Sequence, residues 1–155
     1  MGSGKSSIGL LVAKKLKLEF VDIDKEIENE IGLSISKIFE LKGENYFRKF
    51  EEKITLKKLK LKSKVISLGG GAFINNIIRK EILKNHISFW LNLDDKILIK
   101  RIKNSKKRPI AFNASDNELI ELIKKRSNIY SKALYEIKCD NLSKNAIVKR
   151  ILEIL

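Results

Sequence analysis

Cysteine, proline and histidine are nearly missing from this sequence, which holds one of each: Cys139, Pro109 and His86. A single cysteine excludes an intrachain disulfide and fits a reducing compartment; without a second cysteine or a histidine cluster there is no zinc signature. No apolar run approaches the roughly 20 residues that cross a bilayer, and the N-terminus lacks the basic-then-apolar pattern of a signal peptide. The expected location is therefore the cytoplasm, with no membrane partner.

What is present is a globular composition. Hydrophobic residues make up 43% of the 155 positions and charged residues 34%, a balance that excludes disordered and collagenous chains. A chain of this length buries roughly two-thirds of its unfolded surface in one core, so one domain spanning 1–155 is expected. Lysine and arginine total 33 against 19 acids, a formal charge of +14, which admits nucleic acid, membrane surfaces or small anions as partners. The lysines are spread through nearly every segment and mixed with acids and isoleucines, as generic surface lysines are. No nucleic-acid motif with interleaved aromatics accompanies them, so no nucleic-acid partner is expected.

Helical and strand patterns alternate along the chain. Ile8, Leu11, Val12 and Leu16 recur at helical spacing, and "LEFVDID" reads as a strand ending in carboxylates. Helical pieces follow in "KEIENEIG", "SISKIFELKG" and "ENYFRKFEEKITLKKLKL", then the strand "KVISL" running into "GGG". "NIIRKEILKN" predicts a helix, "HISFWLNL" a strand, and "DDKILIKRIKNS" a helix capped by Asp94 or Asp95. After the irregular "KKRPIAFNAS" come a helix from Asp116, the strand "YEIKCDN" and a C-terminal helix. This order predicts an α/β three-layer sandwich with a mainly parallel central sheet, whose active residues gather at the carboxyl ends of the strands.

Several short motifs carry chemistry. "GSGKS" before an amphipathic helix is the second half of a phosphate-binding loop, G-x-x-x-x-G-K-[ST], whose first glycine would fall two positions before Met1. Backbone amides of Gly2, Ser3, Gly4, Lys5, Ser6 and Ser7 would surround phosphate at a helix N-terminus, with Lys5 neutralising charge and the Ser6 hydroxyl ligating Mg2+. In "DID", Asp22 and Asp24 share one side of a strand by period-two alternation. They would serve a metal-bound water and a substrate hydroxyl proton, while Asp24 could equally cap the next helix. Arg48 and Glu51 lie three apart on one helical face, a spacing that by itself usually means a solvated ion pair. Gly69, Gly70 and Gly71 at a strand end form either a close approach of backbone to something beside it or a bare tight turn. Arg108 lies in the non-periodic stretch, either in a closing lid over a phosphoryl group or in a solvated loop. Arg126 and Tyr130, four apart on the next helix, fit surface and core equally well.

In this order the motifs resemble those of the shikimate kinase family, P-loop kinases of the nucleoside-monophosphate-kinase fold. The resemblance runs over essentially all 155 residues through "GSGKS", Asp22-x-Asp24, Arg48 with Glu51, "SLGGGA" (Ser67 to Ala72), Arg108-Pro109 and Arg126-x-x-x-Tyr130. It implies transfer of the γ-phosphoryl group of ATP, with Mg2+, to the 3-hydroxyl of shikimate. It also implies that Arg48 and Arg126 grip the shikimate carboxylate and that Asp24 and the Gly69 to Gly71 backbone hold ring hydroxyls. Glu51 would orient Arg48, Asp22 would stand behind the magnesium waters, Arg108 would close with a lid at about 104–115, and Arg101 would lie against adenine. Residues of about 24–61 would form the substrate-binding helical region, and the protein would act as a monomer. A gluconate kinase or a nucleoside-monophosphate kinase would share the loop and lid, but neither is expected to combine "SLGGGA" with two arginines for one carboxylate. The family's first strand, central in its sheet, should precede "MGSGKSS"; the expectation is a natural start about ten residues earlier, a strand and its approach.

Overall fold

A computed structural model describes residues 2–103 and 114–155. The elements run α1 (Lys5–Leu16), β1 (Glu19–Asp22), α2 (Ile23–Ile31), α3 (Ile35–Leu59), β2 (Lys64–Ser67), a 3-10 turn (Ala72–Ile74), α4 (Asn76–Asn85), β3 (Phe89–Asn92), α5 (Asp95–Lys103), α6 (Asp116–Tyr130), β4 (Tyr135–Lys138) and α7 (Lys144–Ile154). Strand and helix alternate as the periodicity predicts. All strand pairing is parallel, which requires the helical crossovers between strands.

The strands form two ribbons, β1 with β2 and β3 with β4. The register sets Asp22 opposite Ser67 and Asn92 opposite Lys138, so each ribbon's carboxyl ends are level. Between the ribbons runs a slot of about 500 Å³. Val65 and Ile66 wall it on one side, Phe89 and Leu91 on the other, and Ile8 and Val12 of α1 line it from below.

Helix α1 joins the halves. Ile8 and Val12 pack with Ile137, Ile147, Val148 and Ile151 of the β4–α7 side, while the same helix lies against β1 and β2. Burial of each such side chain contributes roughly 1.5–3 kcal/mol. A second core, made by Val21, Ile23, Ile27, Ile38, Phe47 and Ile54, fixes α2 and α3 to β1. Within α3, Gly43 at φ 77° and ψ 169° breaks the helical geometry, which separates the two helical segments expected on either side of it.

Caps define where the site-bearing helices begin. Asp94 Oδ1 accepts from Lys96 N at 2.9 Å, so of the two candidate caps for α5 it is Asp94 that acts. Ser115 and Glu118 form a reciprocal capping box at the start of α6. From that start, Leu119, Ile123 and Arg126 fall on the buried face.

Candidate active site

The carboxyl ends of β1 and β2 and the N-terminus of α1 converge. Gly4 caps α1 in the left-handed region, at φ 86°, with no side chain to take the first N–H groups and no acid in the first turn. Those orphan donors and the helix dipole leave a site for an anion. Ser6 Oγ lies 3.5 Å from Ser67 Oγ at the end of β2, and Arg101 Nη1 donates to the Gly2 carbonyl at 3.2 Å. Arg101 is thus tied to the phosphate loop itself. Ser67 is a hydroxyl that sequence reading placed in a motif without giving it a role.

Asp22 and Asp24 meet, but by a different route from the one expected. β1 ends at Asp22 and α2 begins at Ile23, so period-two alternation does not relate the two acids. Instead Asp22 is the helix cap, its Oδ1 accepting the Asp24 N–H at 3.1 Å, and Asp24 projects from the first helical turn. Burial raises the Asp24 carboxyl above its ordinary value; Lys5 pulls it down, and the Asp22 charge adds to the rise. The nearness of Lys5 to Asp24 brings the phosphate loop and the acid together.

Opposite stands a cationic pole. Phe47, Glu51 and Ile54 share the buried stripe of α3, and Glu51 is 2% exposed. Glu51 Oε2 accepts from Arg48 Nη1 at 2.6 Å, while Glu44 accepts from Arg48 Nε at 3.1 Å. The guanidinium also lies over the Phe47 ring, 5.1 Å from its centroid. This is no solvated pair. Burial raises the Glu51 carboxyl, the Arg48 charge and hydrogen bond partly offset that, and Asp24 adds to it. Burial would lower Arg48, yet the charge of Glu51 and the hydrogen bonds leave it raised. Arg126 comes in from α6 at 8% exposure, and its Nε has no partner among the described residues.

The glycine run lies between the poles. A Cβ on Gly69 would stand 2.7 Å from Asp24 Oδ1 and closer still to Glu51 Oε1; one on Gly71 would stand 2.8 Å from Arg48 Nη2. At either position an added methyl would force these side chains to shift, so the glycine run is packed closely by the charged groups around it. The loop therefore runs from an acid end at Gly69 to a cationic end at Gly71. Arg108, Pro109 and most of the expected lid lie outside the described residues.

The hard oxygens of Ser6, Ser67 and Asp22 suit a magnesium ion that keeps several waters and takes its remaining ligands from phosphate. Among the described residues no group of three or more His, Cys, Asp or Glu side chains could hold a metal.

A phosphate loop at the head of a helix with parallel strands ending beside it defines a P-loop phosphotransferase fold, with charged side chains packed around the glycine run nearby. The profile of the family described as shikimate kinase matches residues 1–155. The chain is 40% identical over 157 aligned positions to a shikimate kinase of Bacillus subtilis (strain 168), covering 100% of this chain and 84% of that protein. Among solved structures, "Shikimate kinase from Acinetobacter baumannii in complex with shikimate" superposes with a TM-score of 0.93 at 30% identity, covering 99% of this chain and 87% of that one. The shikimate kinase of Aquifex aeolicus superposes at 0.88 with 35% identity, over 99% and 90% of the two chains. The chain belongs to the shikimate kinase family, whose members use ATP with Mg2+.

Proposed function

We propose that the two-pole pocket binds shikimate with its carboxylate at Arg48, Arg126 and Gly71 and its hydroxyls at Asp24 and Gly69, and presents the 3-hydroxyl to the phosphate loop. The observation that carries this reading is that a Cβ on Gly69 would meet Asp24 and Glu51 while one on Gly71 would meet the Arg48 guanidinium, with Arg126 buried and its Nε unpartnered among the described residues. Two guanidinium groups meet a carboxylate as planar forks, which lysine cannot do. Glu51 holds Arg48 in place and its Oε1 remains without a partner among the described residues.

ATP with Mg2+ supplies the transferable phosphoryl group: the 3-oxygen bonds to the γ-phosphorus as the bond to the bridging oxygen of ADP breaks. The chain's own part is positioning and charge. The Gly2 to Ser7 amides and Lys5 would hold the phosphates, Ser6 would ligate the metal, and Asp22 and Ser67 would hold its waters. Asp24 takes the hydroxyl proton, and its raised pKa makes it a better base. Arg101 lies against the adenine, and Arg108 spreads charge on the transferring group from a lid at about 104–115.

Residues 1–155 act as one domain and one monomer in the cytoplasm, with 24–61 as the acceptor-binding region and with neither nucleic acid nor membrane as partner. Among the described residues no helix is long and apolar enough to cross a membrane. The decisive assay is ATP-dependent phosphorylation of shikimate beside gluconate and AMP, with a DNA titration across salt. Turnover of shikimate alone and no salt-dependent DNA binding are expected; preference for either other acceptor overturns the pocket reading.

A further inference from the structure

Tyr130 ends α6, and none of the roles above uses it. Its hydroxyl donates to the Gly70 carbonyl. Its ring is packed between Phe73, at 6.5 Å between centroids, and Trp90, at 6.4 Å, so the hydroxyl has little freedom to move. The other two carbonyls of the glycine run are also taken: Ala72 N donates to Gly69 O at 3.2 Å and Ile74 N to Gly71 O at 3.0 Å. The N–H groups of Gly70 and Gly71 enter no hydrogen bond among the described residues. The loop is thus an array with its acceptors engaged and donors left over.

A trans peptide points its C=O and N–H in opposite directions. The unit that joins Gly70 to Gly71 is flanked by two residues without a Cβ, so it can flip at little steric cost. A flipped unit would aim a carbonyl, rather than an N–H, at the cationic end of the pocket, where it would repel a bound carboxylate.

We propose that Tyr130 is a positioning residue for the acceptor: by holding the Gly70 carbonyl it turns the Gly71 N–H toward the Arg48 end of the pocket, where that N–H binds the substrate carboxylate. This rests on the binding mode proposed above. Burial raises the Tyr130 phenol above its ordinary value, and a tyrosine phenol is a donor at neutral pH in any case. The same helix therefore delivers a cation, Arg126, and the latch that aims a backbone donor.

The test is Tyr130→Phe in the full chain, which removes the hydroxyl and keeps the ring packing. KM for shikimate should rise about tenfold, consistent with one lost hydrogen bond to a charged group, with kcat within about twofold and KM for ATP unchanged. A shikimate KM within twofold of wild type, or a parallel loss in kcat and both KM values, overturns the proposal. An independent reading needs no variant: in the wild-type protein the Gly71 amide resonance should shift and gain exchange protection when shikimate saturates the site, and an unmoved, unprotected amide overturns it as well. Wild-type protein that leaves shikimate unphosphorylated defeats the earlier binding mode; wild-type turnover with an unaffected Tyr130→Phe defeats the latch alone.

Discussion

Gly69→Ala tests the site at its tightest point. Gly69 does not lie in the left-handed region, so alanine's backbone is unstrained and the whole effect comes from one methyl group. That methyl would sit 2.7 Å from Asp24 Oδ1, against about 3.3 Å for a carbon resting on an oxygen, so Asp24 must retreat by at least about 0.6 Å. Glu51 cannot yield easily, because it is 2% exposed and its other oxygen is bonded to Arg48 at 2.6 Å. Overpacking of this kind costs about 1–3 kcal/mol, which for a domain of this size lowers the melting temperature by about 2–12 °C. Displacing a reacting group by about 1 Å is worth on the order of a hundredfold in rate, so kcat should fall roughly 10- to 100-fold. Gly43→Ala is the comparison: its φ of 77° strains any side chain although nothing stands within 4 Å of the added carbon, for a similar stability loss of about 1–3 kcal/mol. Calorimetry with a coupled assay of ADP release should show both variants less stable and only Gly69→Ala slow. Equal activity in the two would refute the claim that Gly69 spaces the catalytic acid.

Three further outcomes are expected. Arg126→Lys should weaken shikimate binding by about 1.5–3 kcal/mol, as a charged hydrogen-bonded fork is replaced by a single-point ammonium; unchanged affinity in a calorimetric titration removes the residue from the site. Arg108→Ala should cut kcat on the order of a thousandfold, as loss of a transition-state arginine does, with little change in shikimate affinity; equal loss in both contradicts the lid role. Asp24→Asn should abolish most turnover yet raise stability at neutral pH. The carboxyl's pKa is raised in the fold from 3.8, so the stability tied to its protonated form is full below that value and is lost as pH rises through the raised one. Denaturant titrations should therefore find the variant ahead of wild type at pH 7.5 and level with it near pH 4; a pH-independent gap refutes the burial argument.

The sequence disclosed the element order because each segment keeps one period, and the phosphate loop because its glycines, Lys5 and Ser6 have few other uses together. The acceptor pocket was harder to see. Arg48 with Glu51 has the spacing of an exposed ion pair, and only the continuation of the stripe through Phe47 and Ile54 shows that Glu51 faces inward. Arg126 likewise follows Leu119 and Ile123 onto a buried face. A charged residue on an apolar stripe was the available signal in both cases. The route by which Asp24 reaches Asp22 was not legible, because strand alternation and a cap followed by a helical turn both bring acids two apart together, and where the strand stops depends on its pairing with β2. Nor could spacing reveal that Tyr130 meets Gly70, a contact across 60 positions.

Helix α1 has a double employment. Its first turn offers the phosphate site, and its body is wedged between the β1–β2 ribbon and the strand-and-helix pair at the C-terminus. Whatever grips its amino end therefore also steadies the seam between the two halves of the molecule. A nucleotide at a hundred times its dissociation constant adds about 2.7 kcal/mol to the folded state, and here that energy enters through the crossbeam that keeps the substrate end and the C-terminal end of the protein together.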